Sequence, residues 1–280
     1  MNETSFIIGD AGGTSASWRV VDGEEIKQFK TIGYNAYTHD LADLKENIVQ
    51  CFGTELQTER PVYLYAAGVS TIEQKREVVL ELKAVLGSNL QVENDLVGTA
   101  RSLCGKDTGN VCILGTGSNA CYYDGREVST VSASLGYVLG DEGSGAYLGK
   151  KLLLGVFRDQ LDGDIVEAFH AKYELTAHKV IQQIYYQPRP NHFLASFSHF
   201  IAVHKHHPEI YRLVYAAFED FYDAFFFRSK HVDEVYHFSG SIAFYFSDIL
   251  RQVGLDKGIQ IQNIVQSPIA GLVLYHQAYG

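Results

Sequence analysis

The 280-residue sequence predicts an α/β protein of two lobes that repeat one fold. Two stretches about a hundred residues apart carry that prediction. The first, SFIIGDAGGTSASWRVVDGEEIKQFKTI, spans residues 5–32; the second, VCILGTGSNACYYDGREVSTVS, spans 111–132. In each, an apolar strand ends in a glycine turn, a second strand follows, and Asp-Gly (Asp22-Gly23, Asp124-Gly125) closes a hairpin into a third. Alternating helix and strand patterns follow each copy, which is the α/β signature.

After the first three strands, Leu41, Leu44, Ile48 and Phe52 recur at helical spacing and predict a helix over 38–52. PVYLYAAG (61–68) reads as a buried strand and TIEQKREVVLELKAVLG (71–87) as an amphipathic helix stopped at Gly87. LQVEND (90–95) is a short strand, and VGTARSLC (97–104) opens another helix. From about residue 109 the second copy begins, followed by a mostly helical insertion over 143–231. A strand and turn (232–240), a helix (242–254), a strand (259–265) and a last helix (268–279) complete it. The expected domains are 1–108 and 109–267, with helix 268–280 packing back on the first. No Pro- or Ser-rich linker parts them, so an interlobe cleft with a shared hinge is expected.

Composition narrows the function. With 46% hydrophobic and 20% charged residues the chain can bury a core. A net charge of −10 argues against nucleic acid, which demands a basic footprint, and against an anionic membrane surface. No apolar stretch approaches the ~20 residues of a membrane span. The start shows no basic leader before an apolar segment, and Cys51, Cys104, Cys112 and Cys121 form no C-x-x-C pair. A cytoplasmic protein with reduced thiols is expected.

GDAGGTSAS (9–17) sets Asp10 at a strand end before Gly12-Gly13-Thr14. Glycine admits close approach of a phosphate to the backbone, whose free N–H groups can form an anion nest. Thr14 adds a hydroxyl donor, and Asp10 is suited to hold Mg2+ through water. An ordinary hairpin turn is the competing explanation. LGTGSNA (114–120), with Gly115, Thr116 and Gly117, mimics a dinucleotide fingerprint, but it leads into a hairpin and not a helix. A P-loop fails as well, since residue 144 is Ser and Gly149-Lys150 precedes Lys151. Two such turns in a repeated fold can grip one polyphosphate from both sides.

GYVLGDEGSGAYLGKKLL (136–153) places Asp141 and Glu142 in a glycine-rich loop entering a helix. Carboxylates there can accept from sugar hydroxyls, and the helix N-terminus favours an anion; a plain N-capped loop is the alternative. HKHHP (204–208) lacks partner Cys or a second His pair and reads as a solvated helix end, not a metal site. YAAFEDFYDAFFF (215–227) reads as core or a subunit contact, the basis for a homodimer. YYQPRPN (185–191) reads as a loop broken by two prolines.

With these residues in hand, the chain resembles the N-acetylglucosamine kinase branch of the BadF/BadG/BcrA/BcrD ATPases, in the sugar kinase, Hsp70 and actin superfamily. GDAGGTSASWRV resembles the first phosphate loop, LGTGSNACYYDG the second, LGYVLGDEGSGAYLG the sugar segment and FSGSIAFYF (238–246) the adenosine loop, in order over essentially the whole chain. The resemblance implies duplicated ribonuclease H-like (actin-like ATPase) lobes using ATP and Mg2+. It implies that Asp95 is the catalytic base, with an N-cap as the structural alternative for that residue. Asn35, Gly136 and Asp141 would contact the sugar. Thr14 and Thr116 would serve the phosphate loops, and Gly240-Ser241 the nucleotide. Leu135 stands where mammalian members carry tryptophan in a G-W-G segment, so the sugar pocket would be lined differently.

The expected reaction is ATP-dependent phosphorylation of an N-acetylated amino sugar, N-acetylglucosamine to its 6-phosphate, with the small-molecule sugar and ATP as the partners. Kinases of glucosamine or N-acetylmuramic acid are the close rivals. A BadF-type ATPase that activates a partner enzyme would need cysteines placed to ligate a cluster, and none is convincingly so placed. A sugar-sensing regulator would need a DNA-binding module, for which a first strand at residue 5 leaves no room upstream.

Overall fold

The computed structural model describes residues 5–56, 59–227 and 229–280. Two compact units divide the chain. One takes the residues up to Asp107, Tyr123–Val128 and Ser267–Gly280; the other takes Thr108–Tyr122 and Ser129–Gln266.

The first unit opens with strands β1 (Ser5–Ala11), β2 (Ser15–Asp22) and β3 (Glu25–Ile32). Helix α1 (Leu41–Phe52), strand β4 (Val62–Ala66), helix α2 (Ile72–Leu86), strand β5 (Leu90–Asn94) and helix α3 (Asp95–Cys104) follow. Asp40 caps α1 by accepting from Ala42 N–H at 2.9 Å, which starts the helix three residues later than expected. Leu41, Leu44, Ile48 and Phe52 are its buried stripe. A Thr71–Gln74 capping box starts α2 and Gly87 ends it.

The sheet order is β3-β2-β1-β4-β5. β1 is antiparallel to β2 and parallel to β4, and β4 is parallel to β5. Ala11 aligns with Ala66, and Ala66 with Asn94, so the three parallel strands end level with one another. On one face lies a core with Trp18 at its centre. Its ring meets Phe52 edge-on at 5.4 Å, and its indole N–H donates to Thr31 Oγ1 at 2.9 Å.

The second unit repeats this plan. Strands β6 (Gly109–Leu114), β7 (Ser118–Tyr123) and β8 (Val128–Thr130) lead to the short helix α4 (Gly136–Leu139). Helices α5 (Gly145–Phe157), α6 (Gly163–Lys172), α7 (Ala177–Tyr186), α8 (Pro190–Ser196), α9 (Ser198–Val203) and α10 (Pro208–Phe226) form the insertion. Strand β9 (Tyr236–Ser239), helices α11 (Ser241–Tyr245) and α12 (Ser247–Asp256) and strand β10 (Ile261–Val265) complete the unit. Its order is β10-β9-β6-β7-β8, so in both sheets the first strand is central, with its hairpin on one side and two later strands on the other.

Several boundaries differ from the expected ones for local reasons. The 242–254 helix breaks into α11 and α12 at Phe246, whose buried ring sits where the helical path is left (φ −110°, ψ 26°). The 185–191 segment is mostly helix end and helix start: α7 runs to Tyr186, and Pro190 occupies the first turn of α8, where its missing N–H costs nothing. In α10, Phe218, Phe221, Tyr222, Phe225 and Phe226 are buried. Those five rings are core, whereas Phe227 at the end of the run is 78% exposed.

The final helix, α13 (Ile269–Tyr279), belongs to the first unit. Ile269, Leu272 and Val273 pack with Phe6, Ile8, Val21 and Tyr65 on the face of the sheet opposite Trp18. Gly271 faces Ser102 of α3 so closely that a Cβ would lie 2.3 Å from its hydroxyl, and Ser102 Oγ donates to Pro268 O at 2.7 Å. Tyr65 joins the elements from below, hydrogen-bonded to His276 Nε2 at 2.8 Å and accepting from Arg101 at 3.0 Å.

Candidate active site

In the first unit every site residue expected from the sequence lies at the carboxyl edge of the parallel strands, where open α/β sheets bind ligands. Asp10 is the penultimate residue of β1, and the turn Gly12–Thr14 follows it. The turn is held from outside: Gly33 N–H donates to Thr14 O at 3.2 Å and Tyr34 N–H to Gly12 O at 3.0 Å. Gly33 makes this possible, because a Cβ there would fall 2.2 Å from Gly12 O. Gly13 itself has open space around it and no left-handed φ. The fold makes no demand for glycine at that position, which leaves room for a ligand to approach the backbone.

Asp95 is the first residue of α3, directly after β5. The cap is Asn94: its Oδ1 accepts from Leu96 N–H at 2.9 Å, and its Nδ2 donates to Val69 O at 3.1 Å. The N-cap explanation for Asp95 therefore transfers to its neighbour, and α3 begins two residues before the expected start. Asp95 Oδ1 shares the Leu96 N–H at 3.0 Å. Burial pushes the Asp95 carboxyl up to about 6 against the pull of those backbone N–H groups. Asp10 is pushed up to about 7, by burial and then by the negative charge of Asp95.

A hydrogen bond from Ser267 opposes that rise, with its Oγ 3.3 Å from Asp10 Oδ2. Ser267 was not expected from the sequence. It stands 257 residues from Asp10, and an isolated Ser-Pro carries no motif. Asn35 bridges to Ala67 beyond β4, and its Oδ1 accepts from Tyr37 N–H at 3.0 Å. That bond fixes the amide so that Nδ2 is its donor side.

In the second unit Gly115–Gly117 joins β6 to β7 in a tight turn, with Gly115 N–H donating to Gly117 O at 3.0 Å. Gly115, like Gly13, has open space around it. Gly240 is the N-cap of α11 with φ +115°, and a Cβ would lie 2.2 Å from Leu114 O. Gly240 and the exposed Ser241 therefore lie flush beside the 115–117 turn.

The start of α5 behaves differently from the expected anion site. Gly145 N–H donates to Gly115 O at 2.8 Å, Ala146 N–H to Thr116 O at 3.0 Å, and Tyr147 N–H to Ser144 Oγ at 3.2 Å. The first two amides hold the turn by its carbonyls and the third is capped within α5 by Ser144, so none is free for a ligand. Asp141, at φ +56°, accepts from Ser118 N–H at 3.2 Å. Burial, with Glu142 adding, lifts its carboxyl to about 6. Leu135 and α4 stand out in solvent: Leu135 is 58% exposed and Leu139 74%.

The His segment is more than a solvated end. His207 caps α10, and its Nε2 lies 3.4 Å from Asp164 and 3.8 Å from Asp162, a group able to surround a cation. Those carboxylates lie some forty residues upstream, beyond what local spacing reveals.

No protein-family model matches the chain, and no curated protein is significantly similar to it. Among solved structures, a protein from Porphyromonas gingivalis described as a candidate N-acetylglucosamine kinase is 37% identical. The match covers 98% of this chain and 99% of that one at a TM-score of 0.92. A candidate N-acetylglucosamine kinase from Chromobacterium violaceum matches at 18% identity and TM-score 0.66, covering 98% and 100%. A ROK-family glucokinase from Streptomyces griseus, solved with glucose and AMPPNP, matches at 18% and 0.58, covering 98% of each chain. The last two show the fold alone.

The repeated sheets and the full-length similarity to the 37% identical relative thus define the class, an ATP-dependent sugar kinase of the actin-like ATPase fold. Within that class, the chain belongs to the N-acetylglucosamine kinase-like family.

Proposed function

We propose that the protein transfers the γ-phosphoryl group of ATP to the 6-hydroxyl of N-acetylglucosamine. The observation that carries this reading is the place of Asp95, a half-buried carboxylate directly after β5 at the start of α3, held by a backbone N–H, with burial pushing its carboxyl up to about 6. A base needs to be ionised at neutral pH and yet basic enough to take a proton, and this environment supplies both. The 6-hydroxyl proton passes to Asp95, the oxygen forms its bond to the γ-phosphorus, and the bond to the β-phosphate oxygen breaks to release ADP.

Phosphoryl transfer depends mainly on positioning and charge neutralisation. The turns Gly12–Gly13–Thr14 and Gly115–Thr116–Gly117 serve the phosphates, and Gly240-Ser241 the nucleoside side. Asn35, with Gly136, Asp141 and Leu135 in the second unit, serves the sugar. Asp10 suits Mg2+: burial beside Asp95 leaves its carboxylate short of positive charge, and a single carboxylate matches an ion that keeps its waters. When bound, Mg2+ would neutralise charge on the β- and γ-phosphates. A requirement for ATP and four cysteines that form no disulfide support a cytoplasmic location, and no described helix is long and apolar enough to cross a membrane.

The test is ADP release from Mg-ATP with N-acetylglucosamine, glucosamine, N-acetylmuramic acid or no sugar, with Asp95→Asn as control. Release stimulated most by N-acetylglucosamine and lost in the variant is expected. Stimulation by another sugar reassigns the substrate, and sugar-independent release in both proteins rejects the kinase.

A further inference from the structure

Four hydrogen bonds tie the 115–118 turn to residues 134–146 of the same unit. Gly145 and Ala146 N–H hold the carbonyls of Gly115 and Thr116 at 2.8 and 3.0 Å. Ser134 Oγ donates to Ser118 O at 3.2 Å. Asp141 Oδ1 accepts from Ser118 N–H at 3.2 Å, the one side-chain acceptor among them. Gly117 gives the carboxylate its place, because a Cβ on residue 117 would lie 2.9 Å from Asp141 Oδ2 and 3.1 Å from Oδ1.

The backbone at Asp141 is left-handed, a conformation L-residues other than Asn and Asp rarely adopt. Ser144 N–H donating to Asp141 O at 3.1 Å locks it. Strain of this kind persists where surrounding structure over-determines it, often at a working site.

We propose that Asp141 is a positioning residue for the phosphate-gripping turn, setting its shape through the Ser118 N–H whether or not sugar is bound. The inference rests on the reading of 115–117 as a phosphate loop given above. It assigns one oxygen, Oδ1, to the turn and leaves Oδ2 as the acceptor for a sugar hydroxyl. Sugar site and phosphate site then share one carboxylate, so what binds at one biases the other.

The test measures the affinity for Mg-ADP by calorimetry in the absence of sugar, where a pure sugar ligand has no part. Asp141→Asn keeps an Oδ1 acceptor and tolerates the left-handed backbone; ADP affinity within about threefold of wild type is expected. Asp141→Ala and Asp141→Gly remove the acceptor, the second without backbone strain, and both are expected to weaken ADP about tenfold or more. Thermal midpoints confirm that each variant is folded. Wild-type affinity in both Ala and Gly variants overturns the inference and leaves the nucleotide reading standing. An equal loss in Asp141→Asn overturns it too, since charge and not the acceptor would be the cause. A wild-type protein that fails to bind Mg-ADP overturns the phosphate-loop reading itself.

Discussion

Asp95 is held in an environment that favours its neutral form, and two measurable consequences follow with definite sign. Its folded-state value of about 6 lies above the ordinary 3.8. The folded protein therefore binds the proton more tightly than the unfolded chain, and stability falls as pH rises from about 4 through about 6. Above that window the ionised carboxylate costs stability, about 1–2 kcal/mol after allowance for its partial exposure. Asp95→Asn is expected to lower turnover by about 10²–10⁴-fold and to raise the thermal midpoint by a few degrees in metal-free buffer at pH 7.5. An unaltered turnover removes Asp95 from the chemistry; a lowered midpoint contradicts the burial argument. The same ionisation predicts that kcat/KM for the sugar climbs with pH through about 6, and a profile flat from pH 5 to 7 would show that another group is the base. Asp10 and Asp141 could be picked out in the sequence because each stands in a glycine-rich motif, and Asp95 only through the family resemblance. Ser267 could not, because only the folded chain brings it to Asp10.

Among the elements, glycines separate into those the fold requires and those it does not. Gly9 lies on the Trp18 ring, where a Cβ would come within 2.4 Å of buried, tightly packed atoms. Gly9→Ala is expected to destabilise by about 1–3 kcal/mol, read as a shifted denaturation midpoint. A Cβ on residue 13 meets nothing in the fold, so Gly13→Ala is expected to leave that midpoint unchanged and, on the proposed reading of the turn, to lower ATP affinity. Equal nucleotide affinity in wild type and Gly13→Ala would return that turn to an ordinary hairpin. Strand and helix types were readable from periodicity and caps throughout the first unit. Boundaries failed where tertiary packing decided them: at Phe246, whose burial splits one helix into two, and at Asn94, whose side chain rather than that of Asp95 starts α3.

For the whole molecule, the duplication read from two Asp-Gly hairpins reappears as two sheets of the same order. The packing of helix 268–280 on the first lobe was expected from the sequence, whereas the membership of residues 123–128 could not be read, because it depends on contacts beyond local spacing. Residues 123–128 join the first unit, where Tyr123 OH donates to Gly105 O at 3.2 Å and Gly125 packs on Lys106 O. Residues 267–280 also join it, covering Phe6, Ile8, Val21 and Tyr65. A fragment of residues 1–108 is therefore expected to be insoluble or molten, with poor amide dispersion by NMR. A well-dispersed spectrum from that fragment would show that α13 is dispensable to the core it covers.

The late arrival of α13 also sets an order of events during synthesis. The first unit emerges early yet lacks one wall until the whole second unit has been made. At ordinary elongation rates of about 5–20 residues per second, that interval is roughly 8–30 s. Over that time Phe6, Ile8 and Tyr65 are open to chaperones and to neighbouring nascent chains, while the second unit can close on its own sheet. The part made first is thus completed last, and codon-level pacing or chaperone supply at that stage will govern the yield of active protein.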